Sequence, residues 1–200
     1  MRRMVMAALA VLAMAVAGAA SAQPMAPEVE ATLKRHRADP VRAARDMGDL
    51  AEDGDPVAQW YYGMYLLNGD GVDRDEAAAW TWVERSARGG FSNGMISAAV
   101  MLATGQGVAE DDVAAREWYR KAAEQGSAHA LRSLGMMMLT GEGGAVDPLR
   151  GYAYVEMASE GGDEHAGRLL QRMPPALSED DRRSAEAIKV EWKRKFGDPG

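Results

Sequence analysis

Three consecutive segments of this chain are variations on one pattern. Asp55, Phe91 and Ser127 open them, 36 residues apart, and Gly90, Gly126 and Gly162 close them. Each segment has a small residue at its fourth position (Ala58, Gly94, Ala130) and at its ninth (Gly63, Ala99, Gly135). A glycine pair follows (Gly69/Gly71, Gly105/Gly107, Gly141/Gly143), then an aspartate (Asp75, Asp111, Asp147) and an aromatic (Trp82, Trp118, Tyr154). A fixed period of this length means a stack in which each unit buries its apolar face against the next. The fold is therefore expected to be an all-α solenoid, and such stacks offer extended binding surfaces.

Within a repeat, two apolar-periodic stretches flank the glycine loop. In the first repeat these are Pro56–Asn68, helix A, and Asp75–Arg88, helix B. Asn68-Gly-Asp-Gly-Val72 cannot continue a helix, and glycine there permits the left-handed backbone that ends one tightly. Asp75, Asp111 and Asp147 stand where helix B begins and are expected to cap its free N–H groups. The small fourth and ninth positions let the paired helices approach closely, and the three aromatics are expected to fill the space between repeats. Outside the repeats, Pro27–Arg37 and Pro40–Glu52 read as capping helices within an N-terminal segment 23–54. The segment 163–200 reads as a half repeat plus a capping helix. Asp163–Arg172 is its helix A, Pro174-Pro175 ends that helix, and a last helix starts at Ser178 and runs to about Phe196. Ala185, Ile188, Trp192 and Phe196 fall on one stripe of that helix.

The first 22 residues have the form of a secretory leader. Arg2 and Arg3 precede the apolar run Met4–Ala17, and Ala20-Ser21-Ala22 is a small-x-small cleavage site. This predicts cleavage after Ala22, a mature start at Gln23 and a periplasmic or secreted protein, with no stable membrane insertion once the leader is removed. The apolar run is short and alanine-rich, whereas a spanning helix needs about 20 strongly apolar residues. The chain has 0 Cys, so no disulfide, thiolate metal site or cysteine nucleophile is available. Its formal charge is −7, and −9 once Arg2 and Arg3 are taken off, which argues against nucleic acid as a partner.

Thr104-Gly-Gln-Gly-Val-Ala-Glu-Asp-Asp112 followed by Trp118-Tyr-Arg-Lys-Ala-Ala-Glu-Gln-Gly126 resembles the Sel1-like repeat family, a relative of the tetratricopeptide repeats. Gly69-Asp-Gly-Val72 with Ala79 and Trp82 fits the same pattern, giving repeats 55–90, 91–126 and 127–162. The third departs at Gly144, Gly151 and Tyr154, which points to a looser third loop. The resemblance implies a right-handed α-α superhelix of antiparallel helix pairs, a non-enzymatic scaffold or adaptor, and a protein partner in the cell envelope, with a regulatory role known for some exported members. It also carries an alternative, a cell-wall or penicillin-type ligand binder or hydrolase, although the penicillin-binding relatives are cysteine-rich.

In the related tetratricopeptide fold, ligands lie against the inner face made by the A helices. Aligning the repeats places their third, sixth, tenth, thirteenth and fourteenth residues there. These are Val57, Trp60, Met64, Leu67 and Asn68; Asn93, Ile96, Val100, Ala103 and Thr104; and His129, Arg132, Met136, Leu139 and Thr140. The binding residues predicted from this set are Trp60, Met64, Leu67, Ile96, His129, Arg132, Met136 and Leu139. A mostly apolar face with an aromatic and flexible thioethers suits a peptide or helix.

Other features have plainer readings. Met136-Met137-Met138 suggests Cu(I), but consecutive helix residues point ~100° apart and cannot converge on one ion. The acidic loops lack the spacing of an EF-hand, so their acids are read as caps and solubilising charge. His36, His129 and His165 form no His-Glu-x-x-His motif, and helical histidines of this kind usually pack or face solvent. The basic run Arg182, Arg183, Lys189, Lys193, Arg194 and Lys195 suits a helix C-terminus and the outer face of a cap, with docking of an acidic partner the rival reading. No Ser-x-x-Lys or Gly-x-Ser-x-Gly motif occurs, and the reading assigns no catalytic residue, metal or cofactor.

Overall fold

The computed structural model describes residues 24–172 and 178–200. The proposed leader and Pro174-Pro175 lie outside the described residues. Among these, the chain forms ten helices and no strand. Helices α3 (Pro56–Asn68) and α4 (Glu76–Arg88) are helix A and helix B of the first repeat. Helices α5 (Ser92–Thr104) and α6 (Asp112–Glu124) follow in the second, and α7 (Ala128–Thr140) and α8 (Pro148–Glu160) in the third. Before them come α1 (Pro27–His36) and α2 (Pro40–Glu52); after them come α9 (Glu164–Arg172) and α10 (Glu179–Phe196).

Local chemistry sets the helix ends. The side chains of Asp39, Asp55, Asp75, Asp111 and Asp147 accept the N–H groups of Arg42, Ala58, Ala78, Ala114 and Arg150. Such caps contribute typically ~1 kcal/mol each. Gly69, Gly105 and Gly141 end the A helices in the left-handed conformation. The second glycine of each pair has a different task. A Cβ added to Gly71, Gly107 or Gly143 would run into the carbonyl oxygen of Pro40, Glu76 or Asp112, the first residue of helix B in the preceding unit. Each loop thus leans its bare backbone on the start of the previous helix B, and the loops line up along one edge.

Helices α1 to α9 pack in chain order, each against the next, and α3 also touches α5. Within pairs the approach is close: a Cβ on Gly63 would meet Val83 at 2.8 Å, and one on Gly135 would meet the Gly151 carbonyl at 2.8 Å. Gly151 replaces alanine because Leu139 and Gly135 leave no room for a methyl. Gly144 does not loosen its loop. It makes space for the guanidinium of Arg116, which donates to the Ala145 carbonyl at 3.4 Å. One apolar core runs from Leu66 to Trp192, and a second, from Val29 to Tyr65, seals the N-terminal end. Of the three repeat aromatics, Tyr154 is buried, while Trp82 and Trp118 are half-buried beneath the cations of Arg85 and Lys121.

The caps are repeats edited at their ends. Helix α2 starts at Pro40, in register with Glu76 and so with helix B, but the short turn 37–39 replaces the glycine loop. His36 stacks on Tyr65 with ring centroids 4.7 Å apart, a packing role. At the other end α10 packs against α8. Trp192 meets Tyr154 edge-on at 4.9 Å, and the expected stripe is buried or half-buried. Lys189, only 6% exposed, is ringed by Glu156, Glu160 and Glu186, and Lys193 bridges Glu160 and Asp198. These two cations therefore pin the cap to helix B of the third repeat.

Candidate partner-binding surface

The A helices differ from the B helices in kind. Helices α3 and α5 contain no charged residue, and α7 contains Arg132 and His129 alone. A helix wedged between its own partner and its neighbours is apolar on most sides. What remains open is a strip of half-buried side chains: Met64 and Leu67 from α3, Ile96, Val100 and Ala103 from α5, and Met136 and Leu139 from α7. Leu67, Ile96, Val100, Ala103 and Leu139 also pack on the main core. Met64 and Met136 belong to neither core, so their thioethers are the freest apolar groups of the strip. Asn68, Asn93, Thr104 and Thr140 are exposed around it. In the methionine run, Met137 is 1% exposed and its two neighbours are half-buried, so the three point apart.

Trp60 is not an open contact. It is 6% exposed, and its indole N–H donates to Ser97 Oγ at 2.8 Å. It packs edge-on against Phe91 and Tyr61, with centroids 5.7 and 4.7 Å away. Trp60 rivets α3 to α5, and Val57, 3% exposed, is core as well. Arg132 is half-buried, and its Nε donates to Asp163 Oδ2 at 3.0 Å. Asp163 also accepts the Ala166 N–H at 2.9 Å, capping α9. Burial alone would raise the Asp163 carboxyl, but this N–H and Arg132 hold it below its ordinary value. Arg132 thus reaches the surface with its charge already matched.

His129 has exposed surface but stands in a wall of protein, next to Arg132. Desolvation first, and Arg132 second, push it down to about 4, against the pull of Asp163. The ring is neutral when folded at neutral pH, while an unfolded chain titrates near 6.5. Between those values the unfolded state binds more protons, so stability falls as pH drops from about 6.5 toward 4. Asp163, whose value is lowered, loses its contribution only below the ordinary carboxylate range. Urea denaturation across this range is expected to show His129→Gln with a flatter profile than the wild type. Superimposable profiles would contradict this environment for His129.

Among the described residues, no group of three acids or histidines is placed to hold a metal ion, and no helix is long and apolar enough to cross a membrane. The strip is apolar and partly open to solvent. Its repeat origin is decided by the family comparison, in which the model of the Sel1 repeat matches residues 56–91, 92–127 and 128–163, more than half of the chain. The chain belongs to the Sel1 repeat family. Its solved neighbours agree on the fold. A Sel1 repeat protein from Oxalobacter formigenes superposes with a TM-score of 0.69 at 23% identity, covering 82% of this chain and 71% of that one. The protective antigen c5321 of uropathogenic Escherichia coli, described as displaying an SLR fold, superposes with a TM-score of 0.68 at 27% identity. That match covers 82% of this chain and 37% of the antigen, so the Sel1 stack here spans well under half of the antigen's length. No curated protein matches the chain.

Two features of the Sel1 stack escape a reading of the sequence. The Trp60–Ser97 bond joins residues 37 apart, and nothing in the repeat alignment singles out Ser97. Each loop carries at least one acid besides its cap, Asp70 and Asp73, Glu110, and Glu142, not all at the same repeat position, and their gathering along one edge follows from how the glycines dock.

Proposed function

We propose that this Sel1 repeat protein is an exported scaffold that holds another protein of the cell envelope against its helix-A strip, acting by binding and not by catalysis. The observation that carries this reading is the strip itself: half-buried apolar side chains from the A helices of three successive repeats, uncharged but for a matched arginine and a neutral histidine. Sel1 repeats point to protein partners in general. The leader-like start supports export. Within the strip, Met64 and Met136 are the preferred contacts, with Leu67, Ile96 and Leu139 beside them. Trp60 acts behind the surface, and Arg132 and His129 form its polar end.

The test is capture from an envelope extract with the tagged mature protein and with a Met64→Ser/Met136→Ser variant of matched thermal stability. The wild type is expected to retain one discrete protein in near-stoichiometric yield, and the variant at least about tenfold less, as for loss of central interface anchors. Retention of the same protein by both forms would remove the strip as the binding surface. Sequencing of the exported protein is expected to begin at Gln23.

A further inference from the structure

We infer that the segment bound by this strip is an amphipathic helix with Lys or Arg along one flank, the flank that faces the glycine loops. The inference rests on the reading of the strip as the binding surface and adds the partner's charge pattern.

The strip has almost no charge of its own, so orientation has to come from its borders. The two borders are unlike. At the glycine-loop edge, Asp75, Asp111 and Asp147 are engaged as caps. Asp70, Asp73, Glu110 and Glu142 are not caps, and none of them forms an ion pair among the described residues. Two of the cations nearby are engaged: Arg74 pairs with Glu76, and Arg150 with Asp147. Arg116 is turned into the third loop, donating to Ala145. At the opposite edge, where α4 and α6 end, the charges are matched: Arg88 pairs with Glu84, and Arg120 with Glu117 and Glu124. One border of an apolar strip is thus unbalanced and negative.

Geometry gives the spacing. Neighbouring helices lie about 10 Å apart, so the loops, each with at least one of these acids, follow one another along the edge at about that interval. A helix rises 1.5 Å per residue, so a partner helix laid across α3, α5 and α7 would meet each loop after about seven residues. Basic residues at that interval, beside an apolar stripe, complement both the strip and its border.

Three synthetic peptides of about 20 residues test this, long enough to cross three helices. The first has a leucine stripe with lysine at every seventh position on one flank. The second has glutamate in place of lysine. The third keeps lysine but replaces the stripe with serine. Affinity is read by fluorescence anisotropy at about 50 and about 300 mM salt, which brackets strong and weak screening. The lysine peptide is expected to bind about tenfold more tightly than the glutamate peptide at low salt, with the gap narrowing at high salt. An Asp73→Asn/Glu110→Gln/Glu142→Gln variant is expected to bring the two within about twofold. Equal binding of lysine and glutamate peptides, abolished by Met64→Ser/Met136→Ser, overturns the inference and leaves the strip standing. Binding untouched by the methionine changes overturns the strip as the site. Equal binding of the serine-striped peptide reduces the effect to charge alone and overturns the inference, as does no binding by any peptide.

Discussion

Gly107→Ala is expected to destabilise the protein by about 3–4 kcal/mol, while Gly105→Ala, two residues earlier, costs about 1–2 kcal/mol. The two glycines have nearly the same backbone, with φ of +70° and +69°. Conformational preference therefore penalises both equally. Their surroundings differ. Around Gly105 the nearest atoms to an added methyl are at 3.7 Å, ordinary contact. At Gly107 the methyl would be driven into the Glu76 carbonyl oxygen, part of the first turn of α4, which cannot move without dragging the first repeat. The difference between the variants isolates loop docking from glycine's flexibility. Urea denaturation of both, fitted with a common slope, makes the comparison; equal losses would mean that the loops do not bear on the neighbouring repeat.

Leu131→Ala is expected to cost about 2–5 kcal/mol, the range for deleting a buried leucine without collapse of the cavity. Leu131 is fully buried in α7, which packs against both α6 and α8. In a linear stack, stability is a sum of units and nearest-neighbour interfaces, so weakening a central unit lowers the stability of those on either side. Hydrogen exchange should therefore accelerate in α5 and α6 as well as in α7 and α8. Acceleration confined to α7 would contradict nearest-neighbour coupling.

The parts of the fold set by local chemistry can be read from the chain directly. Pro56 and Asn68 bound helix A in sequence and structure alike, because aspartate caps and left-handed glycines act within a few residues of the helix they end. Asp75 is the cap rather than the first residue of α4, a difference of one position. The side-chain directions of the A helices are harder. Helical periodicity locates a buried face by contrast with a polar one, and α3 and α5 have little polar surface to supply the contrast. Alignment by repeat position placed Met64 and Met136 on the open strip, where they stand half-buried. It placed Trp60 there too, and Trp60 is turned under toward Ser97 and Phe91, contacts set by the neighbouring repeat. Arg132 was legible as a polar point of the face; its pairing with Asp163, which begins the next unit, was not. The basic last helix illustrates the same limit: the run of cations is plain, but that Lys189 and Lys193 reach Glu156 and Glu160 depends on α10 lying along α8.

The most direct test of the central claim is photo-crosslinking in the living cell. A photoreactive amino acid replaces Met64, Val100 or Met136 on the helix-A strip, or Thr81, Val113 or Glu117, exposed on the B helices. The account predicts one discrete adduct from the first three sites and none from the second three. The same adduct from Thr81, Val113 and Glu117, with none from the strip, would contradict it.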